Sequence, residues 1–144
     1  MFAGSYPLTV DDKGRLAIPA RFRQQLADSG APLYITRSYQ PCIELYPAAE
    51  FRRVADQIEG LADRGSADLL TQIFIGNAVE TEVDKQGRVL LPQLLRKQAR
   101  LDGSAVLVGQ IKRFDVWSED LWHQRFGDGP ATADLAAAFA LLKR

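Results

Sequence analysis

Two arginines occupy matching positions in this chain, and each directly follows a glycine. Residues 11–15 (DDKGR) return 73 positions later as residues 84–88 (DKQGR), and both copies continue through three apolar residues to a proline. Glycine adopts a positive φ without a Cβ penalty, and aspartate accepts hydrogen bonds from turn N–H groups. An arginine just past such a turn can bond two acceptors at once, on a phosphate or on the edge of a guanine. The repeated chemistry therefore points to an anionic partner.

A plainer interpretation of each motif is a tight hairpin whose aspartate and arginine form a surface ion pair. For a single copy, this interpretation has as much support as the first. The charge pattern favours nucleic acid, although the net charge is zero, with 18 basic and 18 acidic residues. Residues 13–27 and 85–100 hold nine of the 18 basic residues and no acidic residue. The remainder of the chain is acidic, so an anionic partner would be focused on the repeated motif.

The repeat extends into the elements that must position these motifs. Pro19 and Pro92 each suit the first position of a helix. The apolar pattern then predicts paired strands and a second helix in each half. The predicted elements are helices at 20–26 and 93–99 ended by Gly30 and Gly103, strands at 33–36, 43–46, 105–111 and 114–117, and second helices that start at Pro47 and after an N-cap at Ser118.

Each half thus reads β-β-α-β-β-α over roughly 70 residues, which is too few to bury an adequate core alone. We predict an α+β protein in which tandem β-β-α-β-β-α repeats intertwine about a pseudo-two-fold axis. The expected organisation is a first repeat at 1–65, a linking helix at 66–77, a second repeat at 78–126 and a helical C-terminal tail at 127–144.

Other chemistry finds little support in the sequence. With His123 as the only histidine and Cys42 as the only cysteine, neither a histidine metal site nor an internal disulfide is expected. The acidic residues Glu80, Glu82 and Asp84 alternate on one strand, where a solvent-facing edge is favoured over a cation site. No Ser-His-Asp arrangement, P-loop or dinucleotide fingerprint occurs. We therefore expect no enzymatic activity, no cofactor and no metal, and a cytoplasmic location without membrane attachment.

These motifs resemble the MraZ family of bacterial regulators. The resemblance is carried by residues 1–4 (MFAG), 11–19 (DDKGRLAIP), 84–92 (DKQGRVLLP) and 106–117 (VLVGQIKRFDVW), and runs from the N-terminus to about residue 126. It implies a tandem AbrB-like, swapped-hairpin barrel with flanking helices. It also implies a nucleoid-associated, ring-shaped homo-oligomer. Such a ring would bind double-stranded DNA at direct repeats in its own promoter, at the head of the division and cell-wall gene cluster.

Carried over residue by residue, the resemblance makes Arg15 and Arg88 the main DNA contacts, with Lys13 in support and Gln86 at the equivalent place in the second loop. An AbrB-type, antitoxin-like protein-interaction module is the alternative. For Arg23 and Arg96, a solvated helix face is also an open interpretation. The expected DNA-binding residues are Arg15, Arg88, Lys13, Gly14, Gly87, Asp11, Asp84 and Lys85, and the expected phosphate contacts are Arg21, Arg23 and Arg96.

Overall fold

A computed structural model describes residues 1–28 and 32–144 and confirms the α+β class. A π-helical segment, Thr71–Ile75, continues the third helix directly. The strands are β1 (Ser5–Thr9), β2 (Arg15–Ala17), β3 (Leu33–Arg37), β4 (Ile43–Pro47), β5 (Val79–Thr81), β6 (Arg88–Leu90), β7 (Ser104–Gly109) and β8 (Phe114–Ser118). The helices are α1 (Ala20–Asp28), α2 (Ala48–Glu59), α3 (Arg64–Leu70), α4 (Gln93–Gln98), α5 (Glu119–Phe126) and α6 (Thr132–Phe139).

The strands show that the two halves are intertwined. Six of them form one antiparallel sheet in the order β1-β7-β8-β4-β3-β5, while β2 and β6 pair separately as a two-stranded ribbon. Exchanging each strand of the first half for its counterpart in the second half reverses this order and changes nothing else. The first strand of each half lies against the other half, since β1 pairs with β7 and β5 pairs with β3. The topology thus has the pseudo-two-fold symmetry predicted from the repeat.

The predicted barrel is wrong, because the six-stranded sheet is open. Its edge strands are β1 and β5, which lie at opposite ends of the strand order. After each Asp-x-x-Gly turn the chain leaves the sheet, and only the single bridge between Val10 and Leu16 joins β2 to the end of β1. The main pairing partner of β2 is instead β6, from the other half of the chain.

The main core lies between the open sheet and the ribbon. Leu16 and Val89 on the ribbon are fully buried, and Phe22 of α1 and Leu95 of α4 pack into the same cluster. Successive side chains of a strand point to opposite faces of the sheet, so alternate residues of the central strands point into this core. The opposite face of the sheet carries a smaller cluster against α5, made of Cys42, Val106, Val108 and Trp117 with Leu121 and Trp122 at its margin.

Several helix ends differ from those predicted. Pro47 and Pro92 are N-cap residues rather than first helical residues, and α1 begins at Ala20, one residue after Pro19. Helix α4 ends at Gln98, so Gly103 does not end it; the positive φ of Arg100 already turns the chain. The predicted stop at Gly30 falls outside the described residues.

One predicted cap is confirmed. The hydroxyl of Ser118 accepts a hydrogen bond of 3.1 Å from the N–H of Leu121 at the start of α5.

Candidate nucleic-acid interface

The first Asp-x-x-Gly-Arg loop is organised by the carboxylate of Asp11. Its Oδ1 accepts hydrogen bonds from the N–H groups of Lys13 (3.0 Å) and Arg15 (2.9 Å). Its Oδ2 accepts a bond of 2.8 Å from Nε of Arg15. The N–H of Gly14 donates to the Asp11 carbonyl at 2.9 Å, and Gly14 has a φ of 83°. One side chain therefore shapes the turn and orients the arginine.

The second loop repeats this arrangement bond for bond. Asp84 Oδ1 accepts from the N–H groups of Gln86 (2.9 Å) and Arg88 (2.8 Å), and Oδ2 accepts from Nε of Arg88 at 3.1 Å. Gly87 has a φ of 81° and donates to the Asp84 carbonyl. The plain hairpin interpretation therefore described the ion pairs correctly, since one is present in each loop.

The loop hydrogen bonds also act on the two carboxyl groups. The N–H group of Arg15, followed by the Arg15 guanidinium and the N–H of Lys13, holds the pKa of Asp11 below its ordinary value despite some desolvation. The N–H group of Arg88 acts first in the same way on the pKa of Asp84. Both carboxylates are therefore charged at neutral pH and keep their arginines in place.

The ribbon places both arginines on one surface. Arg15 lies opposite Leu90 and Arg88 lies opposite Ala17 in the β2–β6 register. Because paired and alternate residues share a face, these four side chains lie on the outer face, opposite the buried pair on the inner one. Arg15 and Arg88 are diagonal neighbours across the ribbon, and the Cα atoms of such a pair are typically roughly 7–8 Å apart. Their side chains are each 28% exposed.

Each loop is anchored by the other half of the chain. The N–H of Ile18 donates to the carbonyl of Gly87, and the N–H of Leu91 donates to the carbonyl of Gly14, both at 2.8 Å. The two halves thus hold each other's glycine in place, and the two loops form a single unit.

Arg23 and Arg96 complete this mutual anchoring. Nε of Arg23 donates to the Ile18 carbonyl at 2.8 Å, and Nε of Arg96 donates to the Leu91 carbonyl at 3.0 Å. The guanidinium of Arg96 lies where a Cβ on Gly14 would be, and that of Arg23 lies where a Cβ on Gly87 would be. The sequence does not predict this role. Arg23 and Arg96 are 73 residues apart, like the two loops, but no local signal indicates that each lies against the loop of the other half.

The other residues predicted to contact DNA are not held by the loops in this way. Lys13 and Lys85 are exposed on the loops. Arg21 donates from Nη1 to the hydroxyl of Tyr6 at 3.2 Å and lies over the ring of Phe22, so it has partners within the protein.

The structure also places the acidic residues and the cysteine that could have formed other kinds of site. Glu80 and Glu82 are exposed, and residues 1–28 and 32–144 contain no cluster of three or more His, Cys, Asp or Glu side chains suited to a metal ion. Cys42 is buried, and burial raises the pKa of its thiol to about 12. None of the helices in the described part of the chain combines the length and apolar character needed to cross a membrane.

These features define a class of protein: two intertwined α+β repeats that present a β-ribbon flanked by paired Asp-x-x-Gly-Arg loops. Comparison with known families agrees with this class. The family described as "MraZ protein, putative antitoxin-like" matches residues 1–71 and 74–139. The chain belongs to the MraZ family.

Curated relatives are similar over most of their length. A protein of Pseudomonas savastanoi pv. phaseolicola is 41% identical over 140 residues, covering 95% of this chain and 89% of the relative. A protein of Legionella pneumophila strain Corby is 40% identical over 128 residues, covering 87% of this chain and 84% of the relative. Both relatives are named transcriptional regulator MraZ.

Proposed function

We propose that this protein is a sequence-specific, DNA-binding transcriptional regulator. It binds direct repeats in its own promoter as a ring-shaped homo-oligomer, controls the division and cell-wall gene cluster, and acts in the cytoplasm at the nucleoid without enzymatic activity. The names of its relatives support a role in transcription. The observation that carries the proposal is the ribbon with Arg15 and Arg88 on its outer face.

The ribbon has a suitable shape for reading DNA. The major groove is about 12 Å wide and admits a two-stranded β-ribbon, a mode that several repressors use. In each loop Nε is held by an aspartate, so the guanidinium enters the groove with its orientation already fixed. The four N–H donors on the two Nη atoms are then directed to guanine O6 and N7 or to phosphate.

The remaining loop residues support these two arginines. Asp11 and Asp84 orient them, and the glycines allow the turns that let the ribbon approach DNA closely. That Arg21, Arg23 and Arg96 contact phosphate stays a prediction. The proposed DNA-binding residues are Arg15, Arg88, Lys13, Gly14, Gly87, Asp11, Asp84 and Lys85.

A ring explains how a chain without net positive charge binds firmly. One chain offers few phosphate contacts, so its own affinity for DNA is modest. Linking several ribbons makes each further binding event intramolecular and raises the overall affinity without new contacts. Repeated boxes in the promoter match this arrangement.

The test is to replace each arginine and measure binding to the upstream DNA by gel shift. Each good bidentate contact contributes about 1–3 kcal/mol, so Arg15→Ala and Arg88→Ala should each weaken binding by about five-fold or more. The oligomer should be unchanged, because both side chains lie on the outer face of the ribbon. Arg52→Ala, an exposed arginine on α2, is the matched control and should bind normally. Unchanged binding by both ribbon variants would rule out this interface.

The family description also favours a second candidate, an antitoxin-like protein-interaction module. A stoichiometric protein partner that co-purifies with the chain, together with equal affinity for promoter and unrelated DNA, would establish that candidate instead.

A further inference from the structure

Among the residues that the structure describes, none packs against the last helix closely enough to bury it. Every residue of 127–144 is exposed, although α6 carries an apolar stripe. Leu135 and Phe139 are four residues apart and lie on one side of α6, and Leu142 follows three residues after the end of the helix. Leu135 is 44% exposed and Phe139 is 41% exposed. An amphipathic segment of this kind is stabilised mainly by burying its stripe against another surface.

An internal repeat shows what such a helix does elsewhere in the chain. Residues 66–69 (SADL) in α3 return 66 positions later as residues 132–135 (TADL) in α6. In the first half, Ala67 of α3 is buried and Phe74, in the π-helical continuation, stacks on Phe51 of α2 with ring centroids 5.6 Å apart. In the second half the counterpart of Ala67 is exposed. Helix α6 thus shares three of these four residues with a packed helix, but its own residues are exposed.

An apolar groove lies elsewhere on the molecule, lined mostly by residues between 37 and 74. It has a volume of about 660 Å³ and lies between α2 and α3 with its π-helical continuation. Its walls include Val54, Ile58, Leu61, Leu69 and Ile73. Leu69 is 61% exposed and Ile73 is 40% exposed, so the groove is open to a partner.

The groove and the helix complement each other in charge as well as in polarity. Arg37 is exposed and lines the groove, whereas Arg113 is already paired with the buried acids Glu44 and Asp115. Because α6 carries Asp134 in its first turn, a docked α6 can place this carboxylate near Arg37 while its apolar side chains fill the floor of the groove. Apart from Arg113, the groove is lined by residues of the first half and of the linking helix, whereas α6 follows the second half. Contact between two different surfaces of identical chains is heterologous, and such contacts form a ring when the rotation between neighbouring copies closes.

We propose that α6 of one copy docks in the groove between α2 and α3 of the next copy and forms the subunit contact of the ring. This inference rests on the proposed oligomer and adds the segment and the surface that form it. A second copy is the occupant that the complementary stripe, groove and charges support.

The first experiment uses full-length variants and measures oligomer mass by size-exclusion chromatography with light scattering. Phe139→Glu places a charge in the stripe, and Leu69→Glu places one in the groove wall. Both positions are exposed in the single chain, so the fold should persist, which circular dichroism checks. Each variant should lose the ring and run as a smaller species. Ala137→Glu, on the opposite side of α6, is the matched control and should assemble like the unaltered protein.

The second experiment identifies which copy supplies the helix. Leu69→Cys and Leu135→Cys in one chain should form, under mild oxidation, disulfides between copies and a ladder of covalent multimers. The native thiol at Cys42 is buried and does not compete. A disulfide confined to single chains would place α6 in its own groove and overturn the proposal.

The outcomes separate this inference from the proposed function. A higher-order oligomer that survives both Phe139→Glu and Leu69→Glu would overturn the docking while leaving the ring in place. An unaltered protein that is monomeric would overturn both. Assembly by another protein bound in the groove would appear as a second chain in the light-scattering peak, and would also overturn the docking.

Discussion

Gly14 and Gly87 each meet two separate requirements. The first is conformational: both have a φ above 80°, a region that other residues enter at a cost. The second is spatial, because the guanidinium of Arg96 or Arg23 occupies the position of the missing Cβ. Gly103 shares the first requirement only: it has a φ of 85°, and nothing lies near its Cβ position. The chain therefore contains its own control for the second requirement.

This difference predicts an order of stabilities. Gly103→Ala should cost about 1–2 kcal/mol of unfolding free energy, the cost of a left-handed backbone. Gly14→Ala should cost more, by about another 1–2 kcal/mol, because Arg96 must give up its bond to the Leu91 carbonyl. Urea denaturation of both variants measures the gap, and repeating Gly14→Ala in an Arg96→Ala background should close it. If Gly14→Ala and Gly103→Ala cost the same when Arg96 is present, the Arg96 side chain moves away from the new Cβ without loss of stability.

Among the elements, β4 and β8 form the centre of the sheet and share a buried acidic pair. Glu44 lies directly opposite Asp115 in their register, and both are almost fully buried. Arg113 serves both acids: its Nε lies 3.0 Å from Asp115 Oδ1 and its Nη2 lies 3.7 Å from Glu44 Oε2. The hydroxyl of Tyr46 donates to Glu44 at 2.7 Å. Burial is the main cause of a raised pKa at Asp115, and Arg113 opposes it.

Arg113→Met should therefore destabilise the protein strongly. It leaves two carboxylates facing each other without a cation, a situation that costs about 3–5 kcal/mol. An acid whose pKa is raised on folding binds its proton more tightly in the folded state. Stability is therefore regained as the pH falls through the folded-state pKa. The cost measured by denaturant unfolding should therefore shrink as the pH is lowered from neutral. A small cost that does not change with pH would contradict this account of the pair.

The elements also show what the sequence could and could not predict. Local signals located the helices and strands to within a few residues, because periodicity and capping act over short stretches, as at Ser118. The loops were also predictable, since Asp11 bonds only to groups within four residues. The open sheet, the ribbon and the positions of Arg23 and Arg96 were not, because their partners lie in the other half of the chain. Nothing local distinguishes β2 pairing with β6 from β2 pairing with β1.

At the scale of the whole molecule, the exchange of strands makes each half depend on the other. The edge strand of each half pairs with the opposite half, and the ribbon takes one strand from each. The main core likewise draws residues from both halves. Folding is therefore expected to be a single cooperative event.

Separating the halves tests this dependence. Residues 1–77 and 78–144, produced as separate chains, should each lack cooperative thermal unfolding, since each loses the partners of its first two strands. Mixing them should restore the near-ultraviolet circular dichroism of the intact protein, because all the strand pairs can form again. Cooperative unfolding by either fragment alone would show that the exchanged strands are dispensable.

The joining of both repeats in one chain has a further consequence for the ribbon. Two identical chains could build the same ribbon only with identical loops, and such a ribbon reads alike from either end. Here the loops differ, with Lys13 in the first and Gln86 at the matching place in the second. The ribbon therefore has polarity. In the proposed complex with DNA, this polarity would let the ribbon distinguish one direction along the helix from the other, as non-palindromic boxes arranged head to tail would require.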